Sequence, residues 1–148
     1  MAEVGQRYQR ISTELGLAQE SQVRELMRHF AGKQVDGSLF SLEGALTLSH
    51  FASVAPHQTL DMELDAVAET CTEPGRSNDE RWAVEIKWRN EPAIRKELEA
   101  FWHNARTIGG HPLRLWFIAR AGFRYFGYAQ YKDSALRFGR EQGILLSS

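Results

Sequence analysis

The chain has a single cysteine, Cys71, so neither an intrachain disulfide nor a cysteine-based zinc site can form within it. No apolar run approaches the roughly 20 residues that span a bilayer. The opening residues, MAEVGQRYQR, lack the apolar core of a secretory signal, so a cytoplasmic setting and no membrane partner are expected. Net charge is nearly absent, with 18 Lys and Arg against 19 Asp and Glu. Several enzyme signatures are missing as well. There is no G-x-x-x-x-G-K-[S/T], so the chain is not itself a P-loop ATPase, and no G-x-S-x-G nucleophile turn. None of the five histidines (His29, His50, His57, His103, His111) forms an H-x-x-x-H or H-E-x-x-H pair, which argues against a zinc hydrolase.

What is present suits one folded domain. At 148 residues, with 43% hydrophobic and 25% charged side chains, the chain has the mix of an ordinary globular protein. Its charge is polarised. Residues 1–80 carry 6 basic and 13 acidic side chains, a net −7, and residues 81–148 carry 12 basic and 6 acidic, a net +6. Such an asymmetry fits a basic surface for a polyanion, or nothing at all if the halves interleave in space.

Hydrophobic periodicity outlines the elements. Leu15, Leu17, Val23, Leu26, Met27 and Phe30 recur at helical spacing over 6–31, with Gly16 as a break and Gly32 as a stop. The segment 37–44 reads as loop. Strands are expected at 45–55, ending at Pro56, at 59–68 and at 81–88. In the second, Leu60, Met62, Leu64, Ala66 and Ala68 share one face and Glu63, Asp65 and Val67 the other. Residues 70–80, with Pro74-Gly75, form a loop or hairpin tip. A helix follows over 91–107, then an apolar central strand at 113–119, a helix over 129–142 and a closing strand at 144–146. The order predicts a mixed α/β fold with helices packed on one sheet. The four tryptophans fall on apolar faces and read as core, Trp88 least securely.

Two of these strands carry acids. Glu63 and Asp65 lie two residues apart on one, and Glu85 and Lys87 two apart on the other. Side chains at i and i+2 of a strand point the same way, roughly 6.6 Å apart. If the strands pair through the 70–80 hairpin, Asp65 and Glu85 converge. Two converging carboxylates repel unless a cation lies between them, and hard divalent ions take such oxygens. A neighbouring lysine orients a water or stabilises charge developing on a phosphate. An E-x-K triplet alone arises by chance about once in two chains of this length. Its placement after an acid-bearing strand gives it weight, against the plainer alternative of a salt bridge on a solvated sheet face.

The segments M-E-L-D-A-V-A-E (62–69) and W-A-V-E-I-K-W (82–88) resemble the PD-(D/E)XK nuclease superfamily, in particular the nuclease-like domain at the C-terminus of some prokaryotic AAA-type ATPases. The resemblance spans about 18–147. It implies a restriction-endonuclease-like core, a mixed four- to five-stranded sheet flanked by helices, within a single nuclease-like domain over 1–148 whose residues 1–19 form an N-terminal helical extension. The implied activity is Mg2+- or Mn2+-dependent hydrolysis of DNA. Asp65 and Glu85 are the implied metal ligands, with the Ile86 carbonyl as a further one, and Lys87 positions the attacking water. Glu20, in an E-x-x-V pattern on the first helix, assists, and Glu25 is a weaker candidate. Leu64 stands where the family name has proline, and residues 91–107 lack the glutamine found on that helix in related groups. Some relatives are catalytically silent and bind nucleic acid or dock onto an ATPase partner; homodimers are usual where two strands are cut. Arg89, Arg120 and Arg124 are the expected phosphate contacts, since such contacts supply most non-specific affinity.

Overall fold

The computed structural model describes residues 16, 18–70, 80–108, 113–123 and 134–148. Five strands form the main sheet: β3 (Phe51–Gln58), β4 (Glu63–Thr70), β5 (Arg81–Lys87), β6 (Leu113–Ala119) and β7 (Leu145–Ser147), in that spatial order. β3, β4 and β5 pair antiparallel; β5, β6 and β7 pair parallel. The first helix, α1, covers 18–28. The parallel steps use helices α2 (Arg95–Arg106) and α3 (Ala135–Glu141) as crossovers, as parallel pairing demands. A separate ribbon joins β1 (Gln34–Asp36) to β2 (Ala45–Thr47) around a 3-10 turn at Gly37–Phe40. The expected mixed α/β fold is thus present.

Each sheet face has its own core. Trp82, Val84, Ile86 and Trp116 face α1 and the ribbon, packing with Met27, Phe30, Phe40 and Leu46. Trp82 is fully buried, and its ring meets those of Phe30, Phe51 and Trp116 at 6.0, 5.6 and 6.1 Å, edge to face. The opposite face packs Ala83, Leu115, Phe117 and Leu146 against Leu98, Phe101 and Phe138 of α2 and α3.

Several boundaries differ from the sequence-based expectation. The single strand at 45–55 is two, β2 and β3, in different sheets. β3 runs through Pro56, because an edge strand tolerates a residue without an N–H. The helix expected from 91 begins at Arg95: Ala93 forms a bridge to Phe123, and Ile94 is extended. Leu26 is 56% exposed rather than part of the α1 stripe. The parts of the expected helices at 6–15 and 129–133, and most of the hairpin tip, lie outside the described residues.

The most consequential difference is in β4. Ala55 faces Val67, but His57 faces Leu64, so β4 takes three steps where β3 takes two. This bulge breaks the alternation expected of 59–68. Ala66 and Ala68 lie on the α1 face, while Leu64 joins Val67 and Met62 on the α2 face. Asp65 sits within the irregularity. Bulges re-aim side chains in this way.

Candidate active site

The β4–β5 ladder runs from Glu69↔Arg81 to Ala66↔Val84. One step further stand Asp65 and Glu85. Here Asp65 Oδ2 takes the place of a main-chain acceptor, receiving the Ile86 N–H at 2.7 Å. In a strand, the N–H and C=O of one residue leave on the same edge, so the Ile86 carbonyl faces the gap that Asp65 closes. The Asp65 carbonyl accepts from Arg24 Nη1 of α1 at 2.9 Å. Asp65 is only 9% exposed and is, with Ser134, one of two buried polar residues among those described. Burial raises its pKa, against the Ile86 hydrogen bond and the Lys87 charge that lower it.

Glu85 alternates with Val84 and Ile86 and so belongs to the α2 face. Burial first, and the Asp65 charge second, push its carboxyl up to about 7. Lys87 Nζ lies 3.3 Å from Glu85 Oε1 and 3.9 Å from Glu97 Oε2. Glu20, half-buried on α1, is raised by burial and then by the Asp65 charge, with Glu63 adding to it. The fold therefore brings Asp65, Glu85, Lys87 and Glu20 into one electrostatically linked group. Glu25 stands apart, exposed and paired with Arg28 at 2.9 Å.

Asp65 and Glu85 suit a hard divalent cation. Asp65 is buried and Glu85 partly so, a cation would relieve their mutual repulsion, and the Ile86 carbonyl lies on the same edge. Among the described residues, no group of three or more His, Cys, Asp and Glu is spaced to hold a metal ion. Asp65, Glu85 and the Ile86 carbonyl would offer two carboxylates and a carbonyl, in keeping with the preference of Mg2+ for one or two carboxylates with several retained waters.

No family model, curated protein or solved structure matches the chain.

The basic residues divide. Arg120 is exposed, its guanidinium 4.9 Å above the Trp88 ring, and its main-chain N–H donates to the Lys87 carbonyl at 3.0 Å. Arg89 is occupied: its side chain donates to the Glu91 carbonyl at 3.2 Å and pairs with Glu97. Arg124 lies outside the described residues. Trp82 and Trp116 are core, as expected. Sequence reasoning missed Arg24 and Glu97. Neither follows a motif, although Glu97 falls three residues after the helix-entry residue Ile94, the spacing at which an acid reaches back to cap a helix. Among the described residues, no helix is long and apolar enough to cross a membrane.

Proposed function

We propose that the protein hydrolyses phosphodiester bonds of DNA in a metal-dependent reaction, within a restriction-endonuclease-like core. The observation that carries this reading is the convergence of Asp65, Glu85 and Lys87 where the β4–β5 ladder ends. Asp65, Glu85 and the Ile86 carbonyl would hold Mg2+ or Mn2+. Such an ion activates water and offsets charge on the phosphate. The Lys87 ammonium, a point charge on a flexible stem, orients the attacking water and faces the phosphate oxygens. Glu20 adds negative charge on the α1 side of the pair. Arg120 supplies a phosphate contact of the kind that positions a duplex without reading its sequence.

A second reading is a catalytically silent domain of the same architecture that binds nucleic acid or docks onto an ATPase. The exposed Arg120 over Trp88 favours it, since that pair would meet a phosphate or a base without needing the acids. Calorimetric titration of Mg2+ and Mn2+, followed by nicking of supercoiled plasmid in the same samples, separates the two. The parent should bind the ion and nick DNA. Asp65→Ala should lose both, and Lys87→Ala should lose nicking by about a hundredfold or more. Equal cutting by parent and both variants overturns the assignment. DNA retention with no metal binding supports the silent module.

A further inference from the structure

Glu97 contacts the site from α2, and its two oxygens do different work. Oε1 accepts the Ile94 N–H at 3.2 Å and also takes Arg89, capping the helix. Arg89 is itself fixed by the carbonyls of Glu91 and Pro92, at 3.2 and 3.5 Å. The carboxylate is therefore held rigidly, and Oε2 is presented to Lys87 Nζ at 3.9 Å. On its other side the ammonium meets Glu85 Oε1 at 3.3 Å. Burial opposes the charge on Glu97, but Arg89, the Ile94 N–H and Lys87 keep its pKa low, so Oε2 offers a full negative charge near neutral pH.

This matters because Lys87 is a rival for the very oxygens that suit a divalent cation. A lysine stem has four rotatable carbons, and two converging carboxylates attract its ammonium as they would attract a metal. The carboxylate of Glu97, 3.9 Å from the ammonium, is a third attractor that competes with that pair. We infer that Glu97 is a positioning residue that holds the Lys87 ammonium between its own carboxylate and Glu85 Oε1, and so keeps it from taking the place of a cation shared by Asp65 and Glu85. This rests on the nuclease reading for its consequence, but the placement of Lys87 is a property of the folded chain alone.

The test uses Glu97→Gln. Glutamine retains an oxygen for the Ile94 N–H, as capping glutamines do, but removes the charge. The chain has four lysines (Lys33, Lys87, Lys96 and Lys132), so the Lys87 side-chain CεH2 signal is readily assigned by NMR from Lys87→Met. In metal-free Glu97→Gln, that signal should shift. By calorimetry, the variant should bind Mn2+ about fivefold more weakly than the parent, the scale of one partly exposed ion pair. Its kcat for plasmid nicking should fall with KM unchanged. In a Lys87→Met background, Glu97→Gln should leave Mn2+ affinity unchanged, whereas a purely helix-capping role would weaken it in both backgrounds. An unmoved Lys87 signal, or an equal loss of affinity with and without Lys87, overturns the inference. If the signal moves but the parent neither binds Mn2+ nor nicks DNA, the nuclease reading falls, and the inferred consequence for cation binding falls with it.

Discussion

Replacing Glu85 by glutamine should remove a pH-dependent loss of stability. In the fold, burial and the Asp65 charge hold the Glu85 carboxyl at about 7, against an ordinary value of 4.5. Between these two values the unfolded chain has released its proton while the folded chain still binds it. Folding stability therefore falls as pH rises through this window, by at most about 1.4 kcal/mol per pH unit for one group. Across the window the loss is on the order of 3 kcal/mol, complete above the folded value and absent below the unfolded one. The side chain is 17% exposed, so solvent screening does not remove most of this. The glutamine side chain is isosteric with the carboxyl and never ionises. The stability of Glu85→Gln relative to the parent should thus be near zero at pH 4.5 and rise to on the order of 3 kcal/mol at pH 8. Urea denaturation at pH 4.5, 6, 7 and 8, followed by tryptophan fluorescence, measures it. Addition of Mg2+ to the parent at pH 8 should recover part of the loss, because a ligand that binds only the folded state stabilises it, and EDTA should abolish the gain. Parallel curves for parent and variant over this range would refute the reasoning, since they would mean that Glu85 feels neither burial nor Asp65.

Two further substitutions probe the frame around the site. Arg24→Met removes the 2.9 Å bond to the Asp65 carbonyl while keeping an apolar stem, and should cost about 1–2 kcal/mol in urea denaturation and weaken Mn2+ binding; an unchanged affinity would show that α1 does not hold the bulge. Gly139→Ala would place a Cβ 2.9 Å from Leu146 Cδ2 and 3.2 Å from Leu98 Cδ2, and should lower stability by about 1–3 kcal/mol, read as a drop in Tm without loss of metal binding.

The strands nearest the site were the most legible in the sequence. W-A-V-E-I-K alternates cleanly and becomes β5; LRLWFIA, apolar but for Arg114, becomes the interior strand β6 at the expected residues. The convergence of Asp65 and Glu85 followed from the antiparallel pairing alone. The bulge did not, because it is a relation between two strands and leaves no mark on the periodicity of either. It shows only as a reversal, with Leu64 on one face and Ala66 on the other. β1 is three residues long, too short to display a period. The start of α2 was displaced because Pro92 resembles a first helical residue, while the Ala93↔Phe123 bridge holds that segment extended. Glu97 was invisible for a different reason: its importance lies in which side chains of β5 come near, and no local pattern records that.

The outer strand β3 bears on how two copies of the chain could meet. A long, bare strand edge invites another strand to add to it. On β3, Pro56 offers no N–H, and the Val54 carbonyl already accepts from Arg28 Nη2 at 2.9 Å. At the far side of the sheet, the turn following β1 lies over β7, with Ser41 donating to the Leu146 carbonyl at 2.9 Å and Ser147 to the Leu39 carbonyl at 2.7 Å. Both borders of the sheet are thereby discouraged from growing by main-chain pairing. Self-association of this chain would therefore proceed through side-chain surfaces and not by extending the sheet across two copies.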